Sequence, residues 1–206
     1  MSYTALRVTE RGVVLLAGHL ARFEASGDEA VRQFRAFAAS AEPGLYAAFH
    51  KSGQFGHRRI ERSLLHDGQP VRYAVSPFVT QQGRFPKPAP PNRYADVRVP
   101  DIATLLTSDD GAELYESCVA AIFCWDGHGL VVPPSDRPRV ESVVENALRA
   151  AGSVREAPIL RNSSMPLALA NAMGGIVVPQ VPGRDPFPPE ARALVDAVLV
   201  ASTLRV

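Results

Sequence analysis

The first hydrophobic pattern of the chain, YTALRVTERGVVLLAGHLARFEAS at residues 3–26, changes period partway along. It begins as a strand, turns at Glu10-Arg11-Gly12 and continues as a helix, because Leu16, Leu20 and Phe23 recur at helical spacing. GDEAVRQFRAFAASA (27–41) predicts a second helix that stops before Pro43-Gly44. Three runs with strand character follow, GLYAAFHKS (44–52), HRRIERSLLHDG (57–68) and PVRYAVSPFV (70–79), separated by glycine-containing turns as in a meander. Next comes QQGRFPKPAPPNR (81–93), whose Pro86, Pro88, Pro90 and Pro91 exclude a helix or a central strand and predict a linker. Beyond it, ATLLTSDDGAELYES (103–117) and AAIFCWDGHGLVVPP (120–134) read as a hairpin and a third strand, with turns at Asp109-Asp110-Gly111 and at Asp126-Gly127-His128-Gly129. RPRVESVVENALRAAG (137–152) places Val140, Val143, Val144, Ala147 and Leu148 on one helical stripe that ends at Gly152. SMPLALANAMGGIVVPQV (164–181) reads as a short helix and a strand, and PPEARALVDAVLVASTL (188–204) as a closing helix that starts on two prolines. The pattern predicts an α+β protein of two lobes with antiparallel-rich sheets, divided as 1–80, a linker at 81–98, and 99–206, with a cleft between the lobes.

Composition narrows the function. With 206 residues and 46% hydrophobic content, the chain buries a core without disulfides or metal. Lys+Arg 22 against Asp+Glu 21 gives a net charge of +1, which offers no basic face for a nucleic acid or an anionic membrane. No apolar run approaches the roughly 20 residues that span a bilayer, and no leader is evident, so a cytoplasmic location is expected. Cys118 and Cys124 fall in one apparent strand, too far apart to bridge, and read as reduced core thiols. His50, His57, His66 and His128 lack metal-ligand spacing, which predicts no metal site, and His19 reads as a packing or capping residue at its helix start. Among 22 basic residues only Lys51 and Lys87 are lysines.

One acid stands out. Glu116 lies in a run of otherwise apolar and small residues, where burying a lone carboxylate costs several kcal/mol unless it is partnered. A carboxylate facing a pocket is the functional reading of that position.

The order of pieces in the second half resembles the fold-type IV pyridoxal phosphate enzymes, which include branched-chain and D-amino acid aminotransferases and aminodeoxychorismate lyase. The pieces are a strand, G-x-x-x-x-Glu, a small-residue strand ending Ile122-Phe123, a DG turn, LVVPP, an amphipathic helix and N-A-M-x-G-I-V-x-P. In the first half His19-x-x-Arg22 is similar to that family's His-x-x-Arg signature. The resemblance is firmest over residues 7–26 and 111–181, and it implies an N-terminal lobe shortened relative to the family. It implies that Glu116 faces the pyridine nitrogen of the cofactor, that Arg22 reaches the phosphate together with Arg139 and Val140, and that Tyr94, Arg98, Cys118, Asn171, Met173 and Gly174 line the substrate side. It also implies a homodimer and a small-molecule ligand bearing an amino or carboxylate group.

The chain departs from the family where the chemistry is most demanding. The phosphate cup has Pro138-Arg139-Val140-Glu141-Ser142 in place of a glycine, an aliphatic residue and a threonine, and it brings in an acid. The hydroxyl-rich positions after the acid are Ser117, Cys118, Val119, Ala120 and Ala121. Lys87, with Arg93 and Tyr94 behind it, matches the Schiff-base lysine loosely, while other registers put Tyr94 or Arg98 at that position. Arginine stays protonated and cannot replace the amine. These departures favour a degenerate relative that has lost the lysine, carries no cofactor, and binds or transforms a small molecule between its lobes. A working pyridoxal phosphate aminotransferase or lyase using Lys87, with Glu116 as its other catalytic group, is the alternative. A non-catalytic subunit that pairs with an intact relative is the third reading.

Overall fold

A computed structural model describes residues 1–85, 94 and 96–204. The first pattern folds as read: β1 (Ser2–Thr9) and β2 (Gly12–Val14) form an antiparallel hairpin that leads into α1 (Leu16–Glu24) and then α2 (Asp28–Ser40). Leu15 joins β2 to α1 in the left-handed region, φ 59°, a conformation rare for a bulky residue, and it is held there by burial in the core. β3 (Gly44–Lys51) pairs with β1 from Ser2↔His50 to Val8↔Gly44, and β4 (Gln54–Ile60) pairs with β3. Both helices cover one face of this sheet through Leu6, Val8, Phe23, Phe34 and Phe37, with the Phe23 and Phe34 rings stacked 4.6 Å apart.

The expected three-strand meander stops there. Residues 61–70 form no strand apart from an isolated bridge at Pro70, and β5 (Val71–Val75) leaves the first sheet. After β6 (Arg84–Phe85) and β7 (Ala103–Thr107), β5 pairs in parallel with β7, so the chain between them serves as the long crossover that a parallel pair requires. The strand that a division at residue 80 assigns to the first lobe thus hydrogen-bonds to the second half of the chain.

The second half is built on β8 (Glu113–Ser117), β9 (Ala121–Trp125), β10 (Leu130–Val132), β11 (Arg139–Val140), α3 (Val143–Ala150), β12 (Val154–Glu156), β13 (Ile159–Leu160), β14 (Leu167–Asn171), β15 (Gly175–Val177), α4 (Pro189–Ala201) and β16 (Thr203–Leu204). One sheet has the order β13-β8-β7-β5, and another the order β12-β10-β9-β14-β15. Their facing side chains include Leu105, Leu114, Ile122, Cys124, Val131, Leu167 and Leu169. The opposite face of the second sheet carries Phe123, Ala168 and Ala170 against Val144 and Leu148 of α3 and Val195 and Leu199 of α4. β9 and β14 are therefore buried on both faces, which is why their sequences read as unbroken apolar runs without alternation. β16 returns to the first sheet beside β2.

Three sequence readings are corrected here. The short helix expected within 164–181 is a hairpin of β14 and β15, because LALAN splits its side chains between two cores. Val140 belongs to β11, not to the helical stripe, since Ser142 caps α3 and the helix starts at Val143. Cys118 and Cys124 do not share a strand: Cys118 lies in the turn after β8 and Cys124 within β9, and both are free and buried.

Candidate functional site

Glu116 owes its orientation to a break in the strand register. Leu105 pairs with Ser117 and Leu106 with Glu116, but the next residue of β7, Thr107, pairs with Leu114, so Tyr115 is extra. Without this bulge Leu114 and Glu116 would point to the same face. With it, Leu114 joins the core between the two sheets while Glu116 turns to the side of Leu106, into a cavity of about 150 Å³.

The carboxylate is 5% exposed and both its oxygens are engaged. The Tyr94 hydroxyl donates to Oε1 at 2.7 Å, and the Val140 backbone N–H donates to Oε2 at 3.0 Å. Both donors are neutral. Burial therefore dominates and pushes the Glu116 pKa up to about 7, opposed by the Tyr94 and Val140 hydrogen bonds and by the positive charge of Arg139. Burial and the neighbouring acid also raise Tyr94 far above the ordinary phenol range, so it stays a donor, and they push the Cys118 thiol up to about 12, so it stays protonated. A nucleophilic Cys118 has no support in that environment.

Arg22 lines the same cavity. It sits on α1 one turn after His19, and both side chains converge on Thr4 of β1: the Thr4 hydroxyl is 2.7 Å from His19 Nδ1, and Arg22 Nη1 donates to Thr4 Oγ1 at 3.2 Å. Arg22 Nη2 donates to the Glu141 carbonyl at 2.5 Å. Burial brings the Arg22 pKa down to about 10, against the charges of Glu141 and Tyr3. Glu141 also borders the cavity, and its carboxylate accepts from Asn146 Nδ2 at 3.3 Å and lies 3.8 Å from Arg84.

The cavity brings Arg22, Tyr94, Arg98, Glu116, Cys118, Val140, Asn171 and Met173 together. Two expected residues lie elsewhere. Arg139 is buried in an ion pair with Glu145 and donates to the Pro133 carbonyl, so its guanidinium is committed to the core of α3 and does not line the cavity. Gly174 stands behind the wall, where its N–H donates to Asn171 Oδ1 at 2.7 Å and an added Cβ would come 2.7 Å from Ser63 Oγ. Lys87 lies outside the described residues, and Lys51 is exposed at the end of β3. Among the described residues no lysine lines the cavity, and no cluster of His, Cys, Asp or Glu is arranged to hold a metal. Among the described residues no helix is long and apolar enough to cross a membrane. Sequence reading missed Tyr3, which lines the cavity, and Thr4, which holds Arg22, because their approach depends on contacts across the whole chain.

No protein-family model and no curated protein sequence matches the chain. Solved structures do. A hypothetical aminotransferase from Mycobacterium tuberculosis, with α-ketoglutarate and PMP bound, superposes with a TM-score of 0.67 at 16% identity, covering 97% of this chain and 89% of that one. 4-Amino-4-deoxychorismate lyase from Pseudomonas aeruginosa gives 0.64 at 16% identity, covering 96% and 89%. Branched-chain aminotransferase from the archaeon Thermoproteus uzoniensis, with norvaline, gives 0.63 at 14% identity, covering 96% and 83%. These likenesses correct the expectation of a protein without a cofactor, because the M. tuberculosis aminotransferase of the same fold is solved in a PMP-bound and a PLP-bound form. The chain has the fold of the fold-type IV aminotransferases and aminodeoxychorismate lyases.

Proposed function

We propose that the cavity is a pyridoxal phosphate site of the aminotransferase and lyase kind, reduced in that its described wall supplies no Schiff-base amine. The observation that carries this reading is Glu116, a carboxylate aimed by a bulge into a cavity and hydrogen-bonded by neutral donors alone. The residues fit the cofactor at its two poles. Glu116 is placed to accept a hydrogen bond from a protonated ring nitrogen, and Arg22 with the Ser142–Val143 start of α3 offers a guanidinium and a helix N-terminus to a phosphate. When bound, the cofactor supplies an electron sink for a carbanion beside an amino group.

The chain's own groups then act in defined ways. Glu116 exchanges a proton near neutral pH at its Oε1 or Oε2 atom. Arg22, half-buried and hydrogen-bonded among the described residues only to neutral oxygens of Thr4 and Glu141, attracts an anion with reduced solvent screening. Protonated Cys118 and the small residues Ala120 and Ala121 leave room without adding a nucleophile. Arg98 adds a cation at an exposed position of the wall, which suits a ligand bearing a carboxylate.

A specific observation favours a second reading, catalysis through Lys87. β6 pairs in parallel with β11, and Glu141 N–H donates to the Phe85 carbonyl at 2.8 Å, so the chain two residues before Lys87 is fixed beside the cavity wall. Incubation with pyridoxal phosphate, borohydride reduction and mapping of the modified lysine separate the readings. Retained pyridoxal phosphate without covalent labelling supports the reduced site. Stoichiometric labelling at Lys87, lost in Lys87→Ala, establishes the second reading, and absence of both binding and label overturns the two together.

A further inference from the structure

Tyr94 occupies an unusual place. It is 4% exposed and lines the cavity, its hydroxyl takes one oxygen of Glu116, and its ring stands edge-on to Phe78 with centroids 5.3 Å apart. Leu106, Cys118, Val97, Phe85 and Val140 pack around the same ring. The space left beside it, about 150 Å³, falls below the roughly 300 Å³ at which small-molecule pockets begin. The phenol fills room next to the acid and satisfies the oxygen that an incoming ring would use.

We propose that Tyr94 is the specificity-determining residue of the cavity, an internal occupant of the Glu116 site that a ligand must displace. This inference rests on the reading of Glu116 as the ligand-facing acid and adds a requirement to it. A ring ligand that reaches Glu116 takes the space of the phenol and breaks the Tyr94 hydrogen bond. A ligand with a donor at the matching ring position, such as a protonated pyridine nitrogen, restores that bond. One without a donor leaves a buried carboxylate oxygen unsatisfied and is disfavoured. Tyr94 thus raises the threshold for every ring ligand, and only those with a donor recover the loss.

Tyr94→Phe isolates the effect, because phenylalanine keeps the ring and its contact with Phe78 and removes only the hydroxyl. Two probes are titrated into the full chain at pH 8 and followed by equilibrium dialysis: pyridoxal 5′-phosphate, which has the ring nitrogen, and benzyl phosphate, which has ring and phosphate without it. In the wild type pyridoxal 5′-phosphate binds more tightly than benzyl phosphate. In Tyr94→Phe both gain about tenfold to a hundredfold in affinity, the range expected when a hydrogen bond to a charged group no longer has to be broken. Pyridoxal 5′-phosphate binding that is unchanged or weaker in Tyr94→Phe overturns the proposal while leaving the pyridoxal phosphate reading intact. Binding by Tyr94→Phe alone supports the proposal in its strongest form, and failure of both proteins to bind it overturns both.

Discussion

The two buried acids, Glu116 and Glu145, have nearly the same exposure, 5% and 0%, and opposite electrostatics. Glu145 sits in the first turn of α3, where Arg139 binds both of its oxygens and Arg149 adds a second guanidinium. Burial, the largest single influence on Glu145, pushes its pKa up, but the two arginines outweigh it and hold the carboxyl below its usual range. Arg149 also reaches Glu156 at 2.6 Å, which ties the end of α3 to β12. Glu116 has only a phenol and an amide, and its carboxyl rises to about 7. A buried acid with matched cations belongs to the scaffold, whereas one held by neutral donors at a cavity is poised to gain or lose a proton.

Breaking the scaffold pair has the largest effect. Arg139→Ala leaves Glu145 with Arg149 alone and removes the donor to the Pro133 carbonyl, at a cost of about 3–5 kcal/mol of stability by urea unfolding. The double variant Arg139→Met, Glu145→Met, which leaves no unpaired charge in the core, should lose less than Arg139→Ala does. A double variant no more stable than the single one would show that the pair contributes beyond charge compensation.

The pH dependence of stability separates the two acids in sign. The folded protein keeps the Glu116 proton up to about 7, whereas the unfolded chain releases it near 4.5. Its contribution is therefore fully present below 4.5, declines as pH rises to 7, and amounts to about 3 kcal/mol over that window. Glu145, held down by its arginines, contributes stability above its ordinary range that is lost as pH falls through its folded pKa. Glu116→Gln, which does not ionise, should flatten the decline between pH 5 and 7.5 in urea midpoints while leaving the acid-side loss in place. An unchanged slope in Glu116→Gln would assign the titration to another group.

How much of this was legible in the sequence follows the same division. Glu116 stands out as one acid in an apolar run, and Arg22 follows from the resemblance of His19-x-x-Arg22 to a family signature, so two groups of the cavity wall could be named. The bulge that aims Glu116 could not, because it arises from β7 pairing out of step with β8, and alternation along a single strand carries no trace of a partner's register. Arg139 was misplaced for a related reason. The resemblance aligns it with the phosphate cup, and only the approach of Glu145 six residues on, with burial of both, shows that its charge is already paired. The helices α2 and α4 were read from periodicity and termini, while β14 was mistaken for a helix because burial on both faces removes the period that would identify a strand.

The smallest effect tests whether the start of α3 serves both acids or only one. Ser142 caps the helix by accepting from the Glu145 N–H at 3.3 Å, and it also borders the cavity that holds Glu116. Ser142→Ala removes one N-cap acceptor and should cost about 1 kcal/mol. The hydroxyl does not titrate, so the loss should be the same at pH 5 and pH 7.5, a parallel shift of the wild-type curve. If the loss instead grows with pH, the cap is coupled to ionisation of Glu116, because Val140, two residues before Ser142, donates to its Oε2. The scaffold acid and the cavity acid would then share one element, and the distinction between them would hold for charge but not for mechanics.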